Sequence, residues 1–129
     1  MSTTTTGIDT IGLVMIPSPD QDRAIAFYES LGFEKRTDIP FGSEYRWVEV
    51  YPPTGTTGIA LAPPRDGDPV GVQTGISLNT ADIEATYADM KAKGVDVDAE
   101  ISRMGGPVPP MFWFRDSDGN TLLVVQSAP

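Results

Sequence analysis

Apolar and polar positions along the 129-residue chain follow two alternating periods, and their order occurs twice. Residues 9–16, Asp9-Thr10-Ile11-Gly12-Leu13-Val14-Met15-Ile16, are rich in apolar and β-branched side chains and predict a strand. Helix-start chemistry follows, with Ser18 as cap, Pro19 in the first turn and Gln21 three residues after the cap. Ala24, Phe27, Tyr28 and Leu31 then share one helical face, and Gly32 supplies a stop, which predicts a helix over 19–31. Three strand-like runs come next, at 33–39, 45–51 and 57–62, separated by Pro- and Gly-containing turns. The stretch 63–71 is polar and turn-rich and reads as a linker.

After the linker the order returns. Residues 72–79 predict a strand, Thr80 a cap, and Ile83, Tyr87 and Met90 the apolar face of a helix over 81–93 that Gly94 ends. Further strands are expected at 95–101, 111–115 and 121–126, the last two joined by Asp116-Ser117-Asp118-Gly119-Asn120 as a hairpin loop. The reading is one α+β domain over 8–127, built from two tandem βαβββ modules at 8–62 and 72–127, after a short disordered tail at 1–7. The modules are expected to form a curved mixed sheet around a concave cavity, since one module alone cannot cover both sides of its sheet.

Composition narrows the chemistry. Cysteine and histidine are both absent. Disulfides, thiolate nucleophiles, His-based triads and His or Cys metal ligands are therefore excluded. Eighteen acidic against nine basic residues give a net charge of −9, which disfavours nucleic acid and anionic membrane surfaces as partners. No apolar run approaches the ~18 residues of a membrane span, and the first residues lack the pattern of a signal peptide. The expected location is cytoplasmic.

Two motifs carry a resemblance. Asp20-Gln21-Asp22-Arg23-Ala24-Ile25-Ala26-Phe27-Tyr28-Glu29-Ser30-Leu31-Gly32-Phe33 resembles the opening of vicinal oxygen chelate proteins, the glyoxalase, bleomycin-resistance and extradiol-dioxygenase superfamily. Phe114-Arg115-Asp116-Ser117-Asp118-Gly119-Asn120-Thr121-Leu122 resembles its closing hairpin, with Ser117 where proline is usual. Both motifs are structural and specify fold more than function. The resemblance implies a divalent metal held by His, Gln or Glu on the first and fourth strands of each module. It places those positions at Thr10, Ala60, Gly75 and Leu123, none of which bears a suitable ligand. No metal and no cofactor is therefore expected.

What remains is a cavity. Alternation along strands, counted from those four positions, puts Gly12, Val14, Gly58, Ala62, Gln73, Ser77, Asn79, Thr121 and Val125 on the cavity face, with Ile11, Leu13, Ile59, Leu61, Ile76, Leu78, Leu122 and Val124 toward the helices. On the third strand Tyr45, Trp47, Glu49 and Tyr51 share a face, and two aromatics flanking a carboxylate suit a flat or cationic group. The alternative is that Trp47 closes the core and Glu49 is merely solvated; Trp113 and Arg103 carry the same ambiguity. The expected ligand site is walled by Trp47, Glu49, Ser77, Asn79, Trp113 and Leu123, with Arg103 or Met104 at its mouth. The expected function is binding of a small organic molecule, aromatic or cationic, for sequestration, resistance or carriage, by a homodimer. The alternative is a metal-independent lyase, isomerase or cyclase in the same cavity, using Glu49 or a tyrosine as acid or base.

Overall fold

The computed structural model describes residues 6–43 and 45–128. Most of the expected 1–7 tail lies outside the described residues. Ten elements follow in chain order: β1 (Leu13–Pro17), α1 (Gln21–Ser30), β2 (Glu34–Phe41), β3 (Tyr45–Tyr51), β4 (Gly58–Ala62), β5 (Gln73–Thr80), α2 (Ile83–Ala92), β6 (Asp96–Val97), β7 (Met111–Arg115) and β8 (Thr121–Gln126). They form two four-stranded mixed sheets of identical plan, β1-β4-β3-β2 and β5-β8-β7-β6, each with one parallel pair at its β1 or β5 edge. This is the duplicated α+β arrangement that the repeat predicts.

The helices form where their apolar faces require, but their caps differ from expectation. Asp20, not Ser18, accepts from the Arg23 amide (3.1 Å), and Asp82, not Thr80, accepts from the Ala85 amide (3.0 Å). Ser18 instead continues the strand: its amide donates to Ala62 O, and the residue is fully buried. The Asp two positions later then takes the cap, for which its carboxylate is equally suited.

Strand β1 begins only at Leu13. Before it the chain makes two bonds to the start of β4, Thr57 Oγ1 donating to Ile11 O and the Gly58 amide to Gly12 O. The predicted 95–101 strand shrinks to β6, although Asp98 and Ser102 still bond to β7 or its first residue.

One apolar core joins the modules. Ile16, Val48, Val50, Ile59 and Leu61 from the first sheet meet Phe112, Phe114, Leu122 and Val124 from the second, with Ala24, Ile25 and Tyr28 of α1 and Ile83 and Met90 of α2. Phe27 of α1 stacks on Phe114 of β7, with centroids 6.3 Å apart, so α1 packs against the other module as well as its own. Burial of this much apolar surface, at about 25 cal/mol per Å², supplies the main stabilisation.

A polar clasp adds to it. The 116–120 loop folds around Asp116, whose Oδ1 accepts from the Asp118 and Asn120 amides (both 2.9 Å). Asn120, fully buried, donates to Pro17 O and accepts from the Gly71 and Val72 amides. It thereby ties the end of β1 to the start of the second module. Gly119, at φ 81°, gives the loop its left-handed turn.

Candidate functional site

Each sheet turns one face to the core and leaves the other uncovered. In the second module the alternation holds as predicted: Ile76, Leu78, Leu122 and Val124 turn inward, while Gln73, Gly75, Ser77 and Asn79 are exposed. In β3 it also holds, with Val48 and Val50 buried; in β4 Ile59 and Leu61 join the core as predicted, but Gly58 and Ala60 on the outer side are buried as well. In β1 the parity is reversed. Val14 and Ile16 pack into the core, and Leu13, Met15 and Pro17 pair with Gly58, Ala60 and Ala62 on the outer side. Ile11, expected to face the helices, is 71% exposed. The run Ile11-Gly12-Leu13-Val14-Met15-Ile16 is apolar on both faces, so local pattern does not say which face turns inward.

The register corrects the donor set accordingly. Thr10 precedes β1 and has the wrong parity; the residue beside Ala60 is Met15, and the residue beside Leu123 is Ser77. Met15, Ala60, Gly75, Ser77 and Leu123 offer one thioether and one hydroxyl between them. They do not fit a divalent metal of the kind the fold implies. Nor do three carboxylates converge anywhere among the described residues in a way that suits a metal ion.

The richest chemistry lies on the outer face of β3. Trp47 Nε1 donates to Glu49 Oε2 (2.6 Å), and Tyr51 OH donates to Glu49 Oε1 (2.7 Å). Positions i, i+2 and i+4 of a strand point the same way, which brings the three together. The carboxylate is held by both oxygens and keeps lone pairs for a further donor. Its hydrogen bond, and secondarily burial and its charge, raises the Tyr51 phenol above the ordinary tyrosine value. Arg36 lies over the Tyr51 ring, 4.6 Å from its centroid, and is itself paired with Glu34 (3.0 Å).

Two clefts border this face, and Met15 belongs to both. One, of about 630 Å³, runs between Met15, Phe41, Trp47 and the linker residues Pro63, Pro64 and Pro69. Phe41 stacks with Tyr45 beside it, centroids 5.7 Å apart. The other, of about 640 Å³, lies between the modules and is lined by Met15, Gly58, Ser77 and Asn79 among others.

The remaining expected residues are distributed differently. Trp113 and Leu123 are cross-strand partners, and Leu123 also pairs with Ser77, so these three form a row across the second sheet. Neither Trp113 nor Leu123 lines either cleft with Trp47. The Trp113 amide donates to Asp98 Oδ2 (3.0 Å), and Arg115 bridges Asp96 and Asp98. Arg103 lines neither of these clefts: it pairs with Glu84 on α2 and borders a separate shallow pocket with Tyr87 and Glu100. Its neighbour Met104 is exposed. The sequence reading missed Met15 and Phe41, because a reversed β1 parity hid the first and the predicted second strand ended at residue 39.

This geometry has known counterparts. The family model for the glyoxalase/bleomycin resistance protein/dioxygenase superfamily matches residues 10–124. Two Bacillus subtilis proteins are similar: the uncharacterized protein YurT, 31% identical over 83% of this chain and 91% of its own, and YetH, 32% identical over 91% and 98%. Among solved structures, TnmS3, an antibiotic binding protein from Streptomyces sp. CB03234, superposes with a TM-score of 0.81 at 30% identity, covering 96% of this chain and 100% of its own. A superfamily member from Sphaerobacter thermophilus gives a TM-score of 0.80 at 36% identity over 92% and 97%. The duplicated module, the two motifs and these matches agree over nearly the whole chain, and the protein belongs to the glyoxalase/bleomycin resistance protein/dioxygenase superfamily.

Proposed function

We propose that this protein binds a small, largely apolar aromatic molecule on the outer sheet faces and acts by sequestering or carrying it. The observation that carries the reading is the cleft of about 630 Å³ walled by Met15, Phe41 and Trp47. Its volume falls within the range of ligand sites, and it combines aromatic walls with a nearby fixed carboxylate. The likeness to TnmS3, which is an antibiotic binding protein, supports an antibiotic-like ligand. With no suitable metal donors on the face, affinity rests on apolar burial and aromatic stacking.

The same reading includes a homodimer. Met15, Ile39, Phe41 and Tyr45 are between 46% and 62% exposed. A patch of this kind is what an association surface presents. A second copy placing its Trp113 and Leu123 row over this face would complete the walls of the site.

The test is expression in an antibiotic-sensitive bacterium, together with titration of the purified protein by aromatic antibiotics. The expected result is raised tolerance, saturable binding and recovery of the antibiotic chemically unchanged. Turnover of the ligand, or no binding by any member of an aromatic panel, overturns the reading. Sedimentation at micromolar concentration should give the mass of two chains.

A further inference from the structure

The Glu49 carboxylate is not simply present on the ligand face; its position is built by a chain of contacts that reaches into β4. Gly58 is buried, and a Cβ placed on it would stand 2.5 Å from Tyr51 Cζ and 2.6 Å from Tyr51 Cε2. No side chain fits there while the ring keeps its place. The phenol therefore lies close against Gly58, and from that position its hydroxyl reaches Glu49 Oε1. The Arg36 guanidinium lies over the ring, 4.6 Å from its centroid, and is tied down by Gly55 O (3.0 Å), Pro53 O (3.1 Å) and Glu34. Trp47 fixes the second oxygen. Two groups, the Trp47 indole and the Tyr51 phenol, thus hold an acid that pairs with no lysine or arginine among the described residues.

A carboxylate whose orientation is already fixed loses no side-chain freedom on meeting a ligand, and the face of the Trp47 ring attracts positive charge. Arg36, over the Tyr51 ring, has its charge answered by Glu34, and Arg65, which lines the cleft with Trp47, is paired with Asp68 (3.5 Å). The whole chain, at −9, adds attraction in the same direction.

Resting on the small-molecule reading above, we propose that Glu49 is the polar anchor of the site and selects ligands carrying an ammonium or amidinium group on an aromatic body, and that Gly58 is the positioning residue that lets Tyr51 hold Glu49 in place. The cation binds the open lone pairs of Glu49, and the aromatic body lies against Trp47.

The experiment compares 1-naphthylmethylammonium with its neutral counterpart 1-naphthalenemethanol, followed by the two indole N–H resonances in ¹⁵N–¹H NMR. Trp47 Nε1–H bonds to the proposed anchor, whereas Trp113 stands on the other sheet, so the pair separates the site from general binding. The ammonium is expected to bind roughly tenfold more tightly and to move the Trp47 resonance. Glu49→Gln is expected to abolish that preference while both compounds still bind. Gly58→Ala is expected to reduce the preference at least threefold. Tyr51→Phe, which keeps the ring over Gly58 and removes only the donor, should do the same even if Gly58→Ala fails to fold. Equal binding of both compounds, or a preference unaffected by Glu49→Gln, overturns this inference and leaves the small-molecule reading standing. A preference lost in Glu49→Gln but kept in both Gly58→Ala and Tyr51→Phe overturns the positioning role. No shift of either indole by either compound overturns both readings.

Discussion

Tyr28 on α1 donates its hydroxyl to Asp116 Oδ2 at 2.7 Å, across the boundary between the two modules and with both residues buried. Burial, followed by the Asp116 charge and this bond, raises the phenol well above the ordinary tyrosine value, so Tyr28 stays a donor throughout the physiological range. The bond lies at the centre of the clasp formed by Asp116, Asn120 and the end of β1. Arg23 reaches the same loop, at Ser117 O. The two halves are therefore joined by a specific polar contact as well as by apolar packing.

Removing the hydroxyl tests that joint. Tyr28→Phe keeps the ring packed against Phe27 and Phe33 but leaves one oxygen of a buried carboxylate with a partner fewer. Hydrogen bonds to charged groups contribute about 1.5–3 kcal/mol, so unfolding in urea should shift by about 2 kcal/mol. An unchanged midpoint would mean that the contact contributes nothing to the union of the modules.

Asp118 provides a pH signature. Its carboxyl is raised above the ordinary value, chiefly by desolvation, with Asp116 and Asp20 adding to it and Ser18 and Arg23 opposing. A raised folded-state value means that the ionised form is penalised in the native state, so the penalty is present at neutral pH and disappears as pH falls through that value. Asp118→Asn should therefore stabilise the protein at pH 7, with the gain shrinking on acidification toward the carboxylate range. Thermal melts at pH 7 and pH 4 check this; a destabilised variant at pH 7 would contradict it.

Asp38 titrates in the opposite sense. Arg46 grips it with two bonds (3.0 and 2.7 Å) and Lys35 adds a third, holding its carboxyl down at about 2. The stability it contributes is present above the ordinary carboxylate range and is lost as pH falls toward about 2. After screening at this surface position the contribution is about 1 kcal/mol or less. Asp38→Asn should cost that amount at pH 7 and flatten the acid limb of the stability curve.

The two tryptophans should separate in binding. Trp47 lines the cleft beside Met15 and Phe41, whereas Trp113 lies in the Ser77–Leu123 row of the other sheet. With an aromatic ligand, Trp47→Ala should weaken binding at least about tenfold, since stacking adds about 0.5–1.5 kcal/mol to the burial lost. Trp113→Ala should have the same effect only where a second copy brings that row over the site. Fluorescence titration of both variants over a wide range of protein concentrations distinguishes the two outcomes.

Several elements are legible in the chain alone. The runs 45–51, 111–115 and 121–126 are strands with the predicted bounds, because alternation there is strict: Val48 and Val50, Phe112 and Phe114, Leu122 and Val124 are buried between less buried neighbours. Both helices form within their predicted ranges, because apolar spacing and a glycine stop act over a few residues. The lack of metal donors at Ala60, Gly75 and Leu123, and the face shared by Trp47, Glu49 and Tyr51, are likewise properties of sequence and period. Tertiary structure decided the rest, because it depends on which surface each element finds. The run from Ile11 to Ile16 is apolar on both sides, and only pairing with β4 and packing into the common core turned Val14 and Ile16 inward and left Met15 on the outer face. Arg103 joined Glu84 on α2 rather than the cleft beside Trp47, Asp116 met a tyrosine 88 positions away, and Tyr51 found room against Gly58. Each of these contacts joins separate segments, seven positions apart for Tyr51 and Gly58 and 88 for Tyr28 and Asp116, and no local period encodes the approach of one segment to another.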